Sequence, residues 1–377
     1  MERFHKTGYF TGYPIEKSEL LYYNIAHKRC FIMKKSKVTF ADIAEYTGFS
    51  KTTISRYFNN PDSLTLENQS KIAQALEALD YKENKLAKVL ANGKTEIVGV
   101  VIPNLYMHYY SDILNQLIST YEKYGYKFIV FTGNENPDTE RKCIAELLAY
   151  NIEGLIMLSH TIPSEELKSY NIPVVTIERE DKFVCSVNAD NYMGGVQAAS
   201  LLVKSGCDIV FHVNGDLSED IPAYGRIKGF REFCESSGIE HRVILTDLGN
   251  NFEENSDRIL HLFNEFEKTY PDKNIGVFMP NDTHANILLN IIFRQYGRLP
   301  EKYCLIGFDN SAVSREAIIP ISTIGQQVGV MADAAMELLM MQINERRKRK
   351  PTQITEPIHR IITPILINRE TTHLGKR

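Results

Sequence analysis

A chain of 377 residues exceeds what one hydrophobic core usually organises, so two or three folding units are expected. Its 43% apolar content gives ample material to bury, while 43 basic against 47 acidic side chains leave a net charge of −4. That balance excludes a globally cationic nucleic-acid coat, so any such footprint must be local.

No apolar run is long enough to cross a bilayer, and residues 1–32 lack the apolar stretch of a secretory signal. A cytoplasmic location follows as an expectation. The six cysteines (Cys30, Cys143, Cys185, Cys207, Cys234, Cys304) form no CxxC pair, which fits buried, reduced thiols. Residues 1–32 show no sustained period and read as a disordered extension, with Met33 as an alternative start.

The character changes at residue 33. Between Met33 and Lys94, ten Lys/Arg face seven Asp/Glu, a local +3 in a negative chain. Three helix starts can be read from caps: Thr39 with Asp42 three residues on, Ser50 before "KTTISRYF", and Thr65 before "LENQSKIAQALEALDY". Two short helices, near 40–47 and 51–58, are separated by "TGFS", where Gly48 suits a positive φ. A glycine turn between two short helices predicts a helix-turn-helix, whose second helix enters the DNA major groove. Ile54 and Phe58, one turn apart, should face inward, leaving Lys51, Thr52, Ser55 and Arg56 outward. Arg56 on that face has the forked geometry that grips guanine O6 and N7. Ile72, Ala75, Leu76 and Leu79 at helical spacing should brace the pair.

"VTFADIAEYTGFSKTTISRYFNN", followed by "LDYKENKLAKVLANGKTEIVGVVIPNL", resembles the N-terminus of the LacI/GalR family of bacterial transcriptional regulators. The resemblance implies base-reading roles for Lys51, Thr52, Ser55 and Arg56, and phosphate contacts for Thr39, Ser50 and Asn59. It also implies a hinge over residues 84–94 that forms a helix only on DNA, with Lys88 in the usual basic position and Leu90 wedged into the minor groove. Seven or so residues are too few for a stable isolated helix, so such a hinge needs DNA and a second protomer to order it.

From residue 95 onward the pattern turns to buried apolar runs separated by helical or turn-rich stretches: "EIVGVVIP", "YKFIVFT", "EGLIML", "IPVVTI", "CDIVFHV", "NIGVFM" and "YCLIGF". Such runs predict parallel strands in two doubly wound α/β lobes over residues 95–377. "SVNADNYMGGVQAASLLVKSGCDIVFHVNG", "RIKGFREF", "FMPND", "IGFDNS", "STIGQ" and "PILINRETT" resemble the family's landmarks in order, which implies a periplasmic-binding-protein-like receptor with three crossovers.

Ligands of open α/β sheets sit beyond the strand C-termini. Candidates there are Tyr109, Tyr110, Arg179, Arg226, Asn281, Asp282 and Asp309, a mixture of aromatic faces and directed polar groups that suits a small polar ligand. The resemblance places Arg226 and Asp282 among the family's recurrent effector ligands and Gln326 at a crossover. Asp190 and Asn191 read instead as helix caps, the glycine pair in "MGG" (residues 193–195) as helix packing, and "ERRKRK" (residues 345–350) as a solvated helix end and loop.

No GxGxxG, GxxxxGK[ST], GxSxG or HExxH occurs, and the histidines lack ligand spacing, so no catalytic residues, metal or cofactor are expected. The expected protein is a homodimeric repressor of a carbohydrate-utilisation operon. Its partners are double-stranded operator DNA and a sugar or sugar-phosphate effector, with no membrane involvement. The alternatives are a catabolite-control regulator answering to a phosphorylated carrier protein, or a solute-binding protein.

Overall fold

The computed structural model describes residues 38–82, 93–179, 182–215, 219, 221–249, 251–349 and 356–373. The chain divides into two units, Met1–Gly93 and Lys94–Arg377. The expectations for residues 1–32, for the hinge residues Lys88 and Leu90, and for Cys30 fall outside the described residues.

In the first unit, α1 (Phe40–Thr47), α2 (Lys51–Asn59) and α3 (Leu66–Ala78) follow from their caps. The Asp42 carboxylate accepts from the Thr39 backbone N–H at 2.8 Å and from its hydroxyl at 2.6 Å. Gly48 closes α1 with φ 75°, a left-handed conformation that a β-carbon would strain. Ser50 starts α2 by accepting from the Thr53 N–H at 3.1 Å, and Thr65 starts α3 by accepting from Asn68 at 3.3 Å. Ile43, Ile54 and Ile72 are fully buried where the three helices meet, and Phe40 stacks on Phe58 at 5.1 Å between centroids. Each such aliphatic side chain contributes about 1.5–3 kcal/mol. For so small a unit, these few residues are the core.

The second unit has two lobes. Lobe 1 opens with β1 (Ile97–Ile102), α4 (His108–Ser119), α5 (Tyr121–Tyr124), β2 (Lys127–Thr132), α6 (Pro137–Ala149), β3 (Gly154–Met157), α7 (Ser164–Ser169), β4 (Val174–Ile177) and β5 (Cys185–Ala189). The chain then crosses through α8 (Asn191–Lys204) to lobe 2: β6 (Ile209–Asn214), α9 (Tyr224–Ser237), β7 (Glu240–Leu245), α10 (Phe252–Thr269), β8 (Ile275–Phe278), α11 (Asp282–Tyr296), β9 (Tyr303–Asp309), α12 (Ala312–Glu316) and β10 (Ser322–Gly325). It returns through α13 (Val328–Arg346), which packs on lobe 1, to β11 (His359–Ile362), and crosses a third time to β12 (Ile365–Ile367).

The two sheets have the orders β11-β5-β4-β3-β1-β2 and β12-β10-β9-β8-β6-β7. All pairings are parallel except β10 with β12. The two doubly wound lobes are therefore as the apolar runs predict, with the strand C-termini of both sheets directed at the crossovers. Glycines at 195 and 229 let α8 and α9 pack backbone to backbone, the packing role read from "MGG".

Several strands were not legible as apolar runs. β7 lies at a sheet edge, reads "EHRVIL" and has only exposed or partly buried positions. β5 carries the polar sequence "CSVNA" although mostly buried, and β11 and β12 are short outer strands. The basic run also departs from a purely solvated end. Arg346 donates to the Asn171 carbonyl at 2.6 Å, Arg347 to the Tyr126 hydroxyl at 3.0 Å and to the Glu153 carboxylate, so the end of α13 is tied to lobe 1. The five described cysteines are buried and none is in a disulfide.

Candidate functional site

The outward face of α2 is the first site. Ile54 anchors the helix, which turns Lys51, Thr52, Arg56 and Asn59 to the surface. Among the described residues neither Lys51 nor Arg56 is held in a salt bridge, so both charges are available to phosphate or base edges. Ser55 is half-buried, and its hydroxyl and carbonyl accept from the Asn59 amide at 3.1 and 3.0 Å. Thr39 and Ser50 are exposed caps at the N-termini of α1 and α2, where backbone N–H groups favour an anion.

The second site lies between the lobes. Arg226, on the first turn of α9, is buried and lies 3.5 Å from the centroid of the Phe308 ring, a cation–π arrangement. Its Nε donates to Asn191 Oδ1 at 2.6 Å, its Nη1 to the Pro280 carbonyl at 3.0 Å, and its Nη2 is 3.8 Å from Glu178 Oε2. Glu178 follows β4 at the unusual φ of 54° and accepts from the Ala189 N–H and from the Asn191 amide at 3.0 Å. Burial raises the Glu178 carboxyl and lowers the Arg226 guanidinium from their ordinary ranges, and each partner's charge opposes its own shift.

At the second crossover, Gln326 donates to Asp309 Oδ1 at 2.6 Å, and Asp309 itself sits at φ 106°. Glu178 and Asp309, at the ends of β4 and β9, are thus both non-glycine residues held at positive φ. Burial, reinforced by the Asp282 charge, pushes the Asp309 carboxyl far up. Tyr109 is buried in the lobe 1 core with its ring edge-on to the half-buried Tyr110 at 5.4 Å. Burial raises both phenols, and Glu178 and Asp309 add to the effect.

The remaining candidates already have hydrogen-bond partners within the fold. Both Asp282 oxygens are taken: Oδ2 by the Ser311 N–H at 2.7 Å and hydroxyl at 3.1 Å, Oδ1 by the Thr323 hydroxyl at 2.6 Å. Asn281 caps α11 by accepting from His284 at 2.9 Å. Arg179 donates to the Ser159 and Ile162 carbonyls of lobe 1. Arg226, Asp309, Gln326, Tyr109 and Tyr110 thus gather around the crossovers, whereas Arg179, Asn281 and Asp282 have defined structural partners.

Sequence reasoning missed four contributors. Asn191 bridges Glu178 and Arg226 instead of capping α8, which is capped by Asp190 accepting from Met193 at 2.9 Å. Phe308 was hidden inside an apolar strand. Tyr106 and Asn255 join the lobes, the Tyr106 hydroxyl donating to Asn255 Oδ1 at 3.3 Å. Beside them His108 Nδ1 is 3.1 Å from the Thr283 hydroxyl. Only the position of Tyr106 just beyond β1 hinted at this role.

A helix-turn-helix head carried with a two-lobed receptor defines a DNA-binding transcriptional regulator. Residues 39–84 match the family profile "Bacterial regulatory proteins, lacI family", and residues 199–372 match "Periplasmic binding protein-like domain". The chain thus carries a LacI-family DNA-binding domain together with a periplasmic-binding-protein-like domain. It is 28% identical over 306 residues to the sucrose operon repressor of Streptococcus mutans, covering 81% of this chain and 92% of that one. It is 27% identical over 334 residues to catabolite control protein A of Priestia megaterium, covering 86% and 97%. The fold matches a lac repressor dimer bound to operator and the anti-inducer ONPF with a TM-score of 0.72 at 21% identity, covering 89% and 99% of the two chains. Among the described residues no helix is long and apolar enough to cross a membrane.

Proposed function

We propose that the protein is a repressor of a carbohydrate-utilisation operon that binds operator DNA as a homodimer and is controlled by a small sugar-like effector held between the lobes. The observation that carries this reading is a pair of polar clusters, Arg226 with Asn191 and Glu178, and Asp309 with Gln326, which draw on both lobes and two of the crossovers. A ligand engaging them favours one lobe arrangement over another, and only that difference in affinity can shift the equilibrium. Two protomers carry two α2 helices, and two related half-sites give the discrimination that one short helix lacks.

Lys51, Thr52, Ser55 and Arg56 read bases in this scheme, while Thr39, Ser50 and Asn59 position the head on phosphates. Lys88 and Leu90 act in the hinge. Tyr109, Tyr110, Arg226, Asp309 and Gln326 face the effector, with Arg179, Asn281 and Asp282 holding the cleft walls. The test is a mobility shift on DNA flanking the protein's own gene, against scrambled duplex, with and without a panel of sugars. A preference for that DNA which one sugar relieves supports the reading, and equal affinity for both duplexes under all conditions refutes it.

A further inference from the structure

The first residues of the second unit are held by side chains as well as by the sheet. The Thr95 hydroxyl donates to the Asn151 carbonyl at 2.7 Å, the Glu96 carbonyl accepts from the Lys127 N–H at 2.9 Å, and the Ile97 carbonyl accepts from the Glu153 N–H at 2.8 Å. Glu96 itself sits at φ 55°, a conformation that costs a non-glycine residue free energy and persists only where its surroundings fix it. Its own N–H is fixed by a side chain: Glu153, just ahead of β3, accepts it on Oε1 at 3.1 Å.

Glu153 is in turn held by its other oxygen. Oε2 accepts from the Tyr126 hydroxyl at 2.7 Å and from Arg347 Nη2, and the same Nη2 donates to the Tyr126 hydroxyl at 3.0 Å. Tyr126 is buried, and burial together with the Glu153 carboxylate raises its phenol, which keeps it a donor. Arg347 is the C-cap residue of α13, the helix that returns from the second crossover and lies on the lobe 1 core. Segments around residues 96, 126, 153 and 347, distant in sequence, therefore meet at one carboxylate.

A carboxylate with both oxygens engaged, one of them by a guanidinium, is a rigid anchor and not a solvated charge. Lys94 opens the receptor unit, so the anchored stretch is where the chain arrives from the helix-turn-helix head. A tether passes on the displacement of its base only if that base is fixed, and loose residues added there lower the effective concentration of a second head on the same DNA. Building on the repressor reading above, we propose that Glu153, held by Tyr126 and Arg347, is a positioning residue that makes the chain entry part of lobe 1, so that lobe movement reaches the heads and both heads of a dimer engage one operator.

The test uses the full-length protein carrying Glu153→Ala, Arg347→Met or the conservative Arg347→Lys. Fluorescence anisotropy compares the duplex that footprinting defines in DNA flanking the protein's own gene with the same duplex carrying one scrambled half-site. Calorimetry follows glucose, fructose, ribose and sucrose. Glu153→Ala and Arg347→Met should lower affinity for the intact duplex by about threefold to tenfold and leave half-site and sugar affinities unchanged. The factor by which a sugar alters operator affinity should shrink by about as much. Arg347→Lys keeps the charge and should recover most of the loss. Arg347 is only partly buried, so Arg347→Met serves if Glu153→Ala does not fold. A purely structural role predicts a lower melting temperature with the ratio of intact to half-site affinity unchanged, and that result would overturn the proposal. If no sugar alters operator binding by the wild-type protein, the effector reading falls, while the ratio of intact to half-site affinity still decides whether Glu153 fixes the chain entry. No preference of the wild-type protein for that DNA over scrambled duplex would overturn the repressor reading and this inference with it.

Discussion

Gly195 of α8 lies directly against the backbone of Arg226: a β-carbon at position 195 would come within 2.2 Å of the Arg226 carbonyl oxygen and 2.8 Å of the Phe230 nitrogen. On the facing helix a β-carbon at Gly229 would come within 2.0 Å of the Tyr192 carbonyl oxygen. These glycines set the separation of α8 and α9, and therefore where the Arg226 guanidinium meets Asn191 and Phe308. Backbone atoms cannot swing aside, so Gly195→Ala must push the helices apart. We expect a loss of about 1–3 kcal/mol in urea unfolding, together with weakened effector binding. A variant with wild-type stability and wild-type ligand affinity would refute this account of Arg226 placement.

Asp282 sets a pH dependence. Burial pushes its carboxyl up from the ordinary value of 3.8 to about 7, against the opposing hydrogen bonds from Thr323 and Ser311. The folded protein thus holds a proton between pH of about 4 and 7 that the unfolded chain releases. The stability gained from that proton is complete below the unfolded value and is lost as pH rises through the folded one. Lobe 2 should therefore unfold at a lower temperature at pH 8 than at pH 6. Asp282→Asn removes the titration and should flatten this difference, which scanning calorimetry at the two pH values would measure. An undiminished difference in the variant would assign the effect elsewhere.

The contrast between Arg226 and Asp282 shows what was legible in the sequence. Strands such as β1, β8 and β9 could be read because a buried parallel strand must be apolar throughout. The head could be read because caps, a glycine turn and one-turn apolar spacing all agree over a short stretch. Strand-end candidates were legible as a group, but not their division of labour. Asp282 takes its donors from Ser311 and Thr323, 29 and 41 residues away, and no local pattern announces that. Asn191 looked like a cap because Asx residues usually are caps, yet its neighbour Asp190 fills that role and frees it for Glu178 and Arg226. Phe308 was read only as strand core, although Arg226 rests on its ring.

The head permits a prediction independent of the receptor. Arg56 is exposed on α2, and Ile54, not Arg56, supplies that helix's anchor in the core. Arg56→Ala should leave folding unchanged while reducing operator affinity by about 1–3 kcal/mol, with weak salt-dependent binding to random duplex retained. Ile54→Ala should instead melt the head by about 2–5 kcal/mol and abolish both kinds of binding. Fluorescence anisotropy across a salt series, with circular dichroism as the folding control, separates the two. If Arg56→Ala still preferred operator over scrambled duplex by the full wild-type margin, base reading would have to come from other residues.

Tyr106 tests closure of the cleft. Asn104 Oδ1 accepts from the Tyr106 and Met107 backbone N–H groups at 3.1 and 3.2 Å, shaping the loop that carries the Tyr106 hydroxyl across to Asn255. That hydroxyl bond joins one lobe to the other, so it stabilises the closed arrangement and contributes nothing to an open one. Tyr106→Phe keeps the ring and removes only this bond, a net change of about 0.5–1.5 kcal/mol. Apparent effector affinity should fall by about two- to tenfold through the reduced population of the closed form. Operator affinity measured without effector should not fall, because the head is untouched. Calorimetric titration of the effector against both proteins measures the first effect, and an unchanged dissociation constant would show that the bond between Tyr106 and Asn255 has no part in holding the ligand.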